Sequence, residues 1–162
     1  IVWTALAGSS HLASFDRSQC EVMNGEDVAD GGHCDAGWTL HRTDGPTFKG
    51  TDVPADFQYY NWVDLWNASG LGENVPWAPG GNSDALLMLD KETGEWSTFR
   101  VPYPLGFFQR LMDGRIDDPD AGWKGRGLWA NFGTHLAWHI EGGKGTKTKM
   151  VKFQFRPDPL AY

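Results

Sequence analysis

Apolar and polar positions alternate along this chain in short bursts. Residues 1–7 form a β-type run that stops at Gly8-Ser9-Ser10. Residues 11–16 then alternate with the two-residue period of a half-buried strand. A polar, turn-rich stretch follows to Gly37, and Trp38-Thr39-Leu40-His41-Arg42 alternates again before Asp44-Gly45-Pro46. Residues 47–83 read as irregular: they hold a dense aromatic block from Phe57 to Trp66 and a loop-like run of Pro and Gly over 74–81. Residues 85–90 predict a buried strand, 91–95 a polar turn and 96–102 its partner, hence a β-hairpin. A second irregular stretch, 103–127, precedes predicted strands at 128–132 and 136–140. Gly142-Gly143-Lys144-Gly145 makes the next turn, and a clean alternation runs over 150–156.

These pieces repeat. Val2-Trp3, a strand ending in Asp16, and Trp38 through Pro46 make the first series. Asn61-Trp62, a strand ending in Asp90, and Trp96 through Pro102 make the second. Leu128-Trp129, residues 136–140, and Val151 through Pro157 make the third. The predicted units are approximately 1–46, 47–102 and 103–162, all within a single domain. Each resembles one blade of a β-propeller, a small antiparallel sheet that must stack on neighbours to bury its two faces. The fold class expected is therefore all-β, a partial β-propeller of about two to three antiparallel blades with long irregular insertions. Ordinary sandwich hairpins are the alternative.

Composition agrees with short strands and narrows the function. The 162 residues include 21 Gly and 9 Pro, which break helices, and 9 Trp, which suit packing between sheets or display to a ligand. A formal charge of −7 argues against general nucleic-acid binding, which depends on Lys and Arg at phosphates. No apolar run reaches the ~18 residues of a membrane helix, so no membrane span is expected. Charge is uneven: residues 1–81 carry net −8 and residues 82–162 net +1. The basic residues near the close, including Lys144, Lys147, Lys149 and Lys152, read as a solvated edge or as an anion contact surface. Cys20 and Cys34 flank a polar segment, and a disulfide between them would stabilise it by ~3 kcal/mol. That bridge favours a periplasmic or extracellular setting.

The order of strand, Trp, hairpin ending in Asp, then Trp-Ser/Thr and a Pro before the next unit resembles the streptogramin lyase (virginiamycin B lyase-like) β-propellers. Tyr103-Pro104-Leu105-Gly106-Phe107, then Asp113-Gly114-Arg115-Ile116-Asp117-Asp118-Pro119 and Gly122 through Trp129, resemble the C-terminal blades of large bacterial members. The resemblance implies a secreted or periplasmic propeller. Three blades are too few to close a wheel of ~4–8. The chain is thus expected to meet remaining blades or a partner chain. Blades of such lyases typically read Trp-Phe-Thr-Glu. Here Trp3-Thr4-Ala5-Leu6 and Trp129-Ala130-Asn131-Phe132 place Leu6 and Phe132 where the acid would stand.

Three sets of residues carry candidate chemistry. His139 and Glu141 share a strand face, and His135 lies close by in sequence; the imidazole with its carboxylate suits proton abstraction and elimination, or a divalent cation such as Mg or Ca. A solvent-facing strand end is the plain alternative. Asp117, Asp118 and Asp120, beside Asp113, could supply oxygens to a cation or could simply cap turns and pair with Arg115 or Arg126. Tyr60, Trp62, Trp66 and Trp129 could stack on a small molecule or glycan, or fill the core. The expected function is a ligand-binding or interaction scaffold. An active metal-assisted lyase and a carbohydrate-binding propeller are the alternatives.

Overall fold

The computed structural model describes residues 1–21, 34–56, 58–81, 83–102, 108–133 and 148–155. Among these described residues ten strands form three antiparallel sheets. Sheet 1 contains β1 (Val2–Leu6), β2 (His11–Phe15) and β3 (Trp38–Arg42), joined in sequence order. Sheet 2 contains β4 (Trp62–Asp64), β5 (Val75–Pro79), β6 (Ala85–Leu89) and β7 (Trp96–Arg100). Sheet 3 contains β8 (Phe108–Arg115), β9 (Gly127–Gly133) and β10 (Thr148–Phe153). Every neighbour in each sheet is also the next strand in the chain. The fold is all-β, as the alternation predicts. Among the described residues the helical content is two short 3₁₀ turns, Arg17–Gln19 and Asp35–Gly37.

The strand pairings reveal the repeat at the level of single residues. Trp3 pairs with Ser14, Trp77 with Met88 and Trp129 with Lys152, each partner lying just before Phe15, Leu89 or Phe153. Phe15 then pairs with Trp38, and Leu89 with Trp96. The hairpins close alike: Asp16 N–H donates to Gly37 O at 2.7 Å and Asp90 N–H to Glu95 O at 2.9 Å. Their open ends match too, with Thr43 N–H on Ser10 O and Val101 N–H on Asp84 O.

This register corrects the sequence-level alignment. Trp77, not Trp62, is the counterpart of Trp3. Trp62 belongs to the additional strand β4 and pairs with Trp77. Leu128-Trp129 does not open a unit; it lies in the central strand β9, flanked by β8 and β10. The stretch 47–83, expected to be irregular, contains β4 and β5. The stretch 103–127 contains β8. The expected strand at 136–140 and the Gly142–Gly145 turn lie outside the described residues.

Side-chain alternation gives each sheet two faces, front and back, with the Trp3, Trp77 and Trp129 rows defining the front. The front of sheet 2 packs on the back of sheet 3. Trp77 and Leu86 from one, Met112 and Leu128 from the other, form a buried cluster. Trp62, Met88, Phe99, Phe153 and Phe155 surround it, and the Phe99 and Phe155 rings lie 4.6 Å apart. Full burial of such side chains contributes roughly 1.5–3 kcal/mol each. Gly114 on β8 allows the Trp62 ring to lie directly on the backbone of sheet 3. Arg126 Nη2 donating to Asn67 O at 2.6 Å and Phe155 N–H donating to Ser69 O at 3.1 Å fix the same junction. A second cluster on the back of sheet 3 joins Ala130 and Phe132 to Val101.

Polar groups join sheets 1 and 2. Asn61 Nδ2 donates to Trp3 O, and Gln58 Nε2 donates to the Thr43 hydroxyl, which also bonds buried Ser10. Buried Asp56 accepts from Ser83 Oγ at 2.8 Å. Asp64 is buried at the end of β4 and accepts from Ala68 N–H, Ser69 N–H and Ser69 Oγ, shaping the turn that follows.

Candidate functional site

The front of sheet 3 is open and carries a cleft of 690 Å³. Period-two alternation sets the face on which it opens: Asp113, Trp129 and Lys152 form one row across the three strands, and Asn131 and Met150 another. A bulge between Gln109 and Met112 shifts β8, and Asn131 Oδ1 accepts the Leu111 N–H at 2.7 Å there. The residues after β8 fold back over the sheet as a wall. Asp118 and Trp123 form an isolated antiparallel bridge, and Trp123 comes to rest 6.5 Å from Trp129, ring centre to ring centre.

Hydrogen bonds hold this wall. Asp117 Oδ1 accepts from Gly125 N–H at 2.8 Å and Arg126 N–H at 3.0 Å; Asp118 Oδ1 accepts from Ala121 N–H. Those two amides, with the Lys152 and Arg126 charges adding less, hold the Asp117 carboxyl below its ordinary pKa. Trp129 Nε1–H donates to Gly125 O, which orients the indole, and Lys152 Nζ stands 5.7 Å from that ring. The polar rim of the cleft is Asn131 with the exposed Asp113–Arg115 pair, 3.7 Å apart.

Tyr60 and Trp129, both expected to contact ligand, meet at this cleft. Trp62 and Trp66 do not join them. Trp62 is committed to the core against Gly114, and Trp66 sits in the turn after β4, exposed. Trp123, Leu111, Asn131 and Met150 were not legible as site residues. The signal for Asn131 is its two-residue spacing from Trp129 on β9, which places both on one face. Asp117 and Asp118 serve the wall as hydrogen-bond acceptors. Among the described residues no three His, Cys, Asp or Glu side chains converge as a metal group. His135, His139 and Glu141 lie outside the described residues. So do Lys144 and Lys147 of the basic edge.

The disulfide expected between Cys20 and Cys34 is present. It ties together the two 3₁₀ turns beyond sheet 1. No helix among the described residues is long and apolar enough to cross a membrane. The cleft therefore offers two indoles, a phenol, apolar side chains and a polar rim. That equipment suits stacking and apolar contact. Comparison with protein-family models, curated proteins and solved structures finds no match.

Proposed function

We propose that this chain is part of a streptogramin lyase-like β-propeller and acts as an interaction and ligand-binding scaffold in a secreted or periplasmic setting. The observation that carries this reading is the common register of Trp3, Trp77 and Trp129 in three consecutive antiparallel sheets. Strands that follow one another in meander order, sheet after sheet, are the way propeller blades are built. The Cys20–Cys34 bridge supports an oxidising compartment. Recognition falls to the aromatic cleft on sheet 3, where apolar surface is open and a polar rim limits orientation.

Hydroxyl-radical labelling of the protein in its native extract tests the reading. Met150 is exposed in the chain alone, whereas Met112 is buried beneath the same sheet. An occupied scaffold protects Met150 nearly as well as Met112. Met150 labelled at the rate of a free methionine peptide would contradict it. So would elimination turnover that depends on added Mg or Ca and disappears in His139→Ala, because that places the work in a catalytic centre.

A further inference from the structure

The wall over sheet 3 fixes two indoles through one glycine. The Gly125 N–H is held by Asp117 Oδ1, and its carbonyl accepts Trp129 Nε1–H at 3.0 Å. The Trp123 ring rests on the same backbone, where an added Cβ would meet Cζ2 at 2.7 Å. The Asp118–Trp123 bridge holds the other end of that loop. Trp123 is nevertheless 41% exposed, and the two rings are tilted by 44°. An aromatic pair held this firmly loses its freedom on folding and not on binding, which favours affinity for whatever lies on it.

We infer that the cleft takes a neutral oligosaccharide, with consecutive sugar rings lying on Trp123 and Trp129. This rests on the scaffold reading above and names the ligand class. The shape of the platform disfavours a flat aromatic guest. Rings 6.5 Å apart and tilted by 44° meet as one bent surface and leave no parallel slot for a planar ring. A sugar needs only one face, on which its C–H groups lie, and a twisting chain follows a bend. The rim supplies both halves of the hydrogen bonding that hydroxyl groups require. Asp113 accepts, Arg115 donates, and Asn131, whose Oδ1 is taken by the Leu111 N–H, has its Nδ2 to donate. An alkyl chain would cover these groups without giving them partners. Asp113 and Arg115 stand 3.7 Å apart and offset each other in charge, and Lys152, at the Trp129 ring, does not line the cleft. The site therefore favours neither an anion nor a cation.

Calorimetric titration of the whole chain with cellohexaose, mannohexaose, maltohexaose and chitohexaose tests this. At least one should bind, and equally well with and without about 0.5 M NaCl, because no net charge is matched. Trp123→Ala should weaken that binding roughly tenfold through the loss of one stacked ring. Arg115→Ala changes an exposed side chain on β8 and should weaken it several-fold. Trp66→Ala removes another exposed indole, from the turn after β4, and should leave it unchanged. No heat from any of the four sugars at about 5 mM, or binding indifferent to Trp123→Ala, overturns the saccharide as ligand. So does binding that disappears in salt. Met150 labelling in the native extract then separates the two readings. A protected Met150 leaves the scaffold with a different occupant, and a freely labelled one removes the scaffold reading as well.

Discussion

Gly114 provides a direct measure of how tightly sheets 2 and 3 are joined. An added Cβ there falls within the van der Waals envelope of the Trp62 ring, touching Cη2 and Cζ2 and reaching Cζ3 at 2.8 Å. The indole cannot retreat easily, because Trp62 packs against the cluster around Trp77 and Leu128. Overpacking of this kind costs about 1–3 kcal/mol. Replacing glycine also restricts the unfolded chain, which returns about 0.4–1 kcal/mol. Gly114→Ala should therefore lose about 1–2 kcal/mol, read as a lower urea midpoint with an unchanged slope in tryptophan fluorescence. For a chain this long that is a fall of roughly 2–8 °C in melting temperature. Two companions separate the clash from a general effect of alanine. Gly8→Ala meets nothing within 4 Å and should be neutral or slightly stabilising. Trp62→Leu should absorb the added methyl, so the double variant should be more stable than the sum of the single losses predicts. A Gly114→Ala protein within about 0.5 kcal/mol of wild type, with no coupling to Trp62, would refute the close sheet-to-sheet contact.

Further expectations follow from other parts of the fold. Replacing both Cys20 and Cys34 by Ser should cost about 3 kcal/mol, measured by urea denaturation, because the bridge closes a short loop. Asp64→Ala leaves the amides of Ala68 and Ser69 without their buried acceptor and should cost about 3 kcal/mol in the same assay. The Asp16 carboxyl is held below its ordinary pKa by the Ser18 hydroxyl and amide, and the Asp90 carboxyl by the amides of Glu92 and Thr93. Their stabilisation is complete above the ordinary carboxylate range and is lost as pH falls through the lower folded values. Asp90→Asn should flatten the acid limb of stability against pH. Burial lowers the His41 pKa, so the unfolded chain takes up that proton first. Stability should fall as pH drops below the ordinary histidine range and level off below the folded value; His41→Gln should remove that step.

The β6–β7 hairpin was legible because an unbroken apolar run, Ala85 to Leu89, is followed by a polar turn and a Trp- and Phe-bearing partner, and β3 was legible from the alternation of Trp38 to Arg42. β5 was hidden by its own composition: Val75-Pro76-Trp77-Ala78-Pro79 reads as a loop. It tolerates Pro79 because three-residue β4 ends before reaching it, leaving that flank of the strand without a ladder. β8 was hidden by its bulge, which breaks the two-residue period between Gln109 and Met112. The repeat itself was legible, but its phase was not. Trp62 and Trp77 are both strand tryptophans, and only the pairing of Trp77 with Met88 shows which one matches Trp3. Two of the three aromatic side chains that line the cleft, Tyr60 and Trp129, were named from the sequence. Trp123 was not, because nothing local predicts that its loop folds back across a sheet.

The two matched hairpin ends have a bearing on how this architecture can vary. After β2 and again after β6, an aspartate accepts amides two residues onward while its own N–H closes the neck of the loop. Beyond that neck the connections differ greatly, from a few residues between Asp90 and Trp96 to the disulfide-tied excursion between Asp16 and Trp38. The neck insulates strand register from whatever is attached to it, and loop length itself costs little once the ends are held. Asp90 to Trp96 is thus a ready port for grafted peptides. The Cys20–Cys34 excursion is a natural insertion that the same port already accommodates in sheet 1.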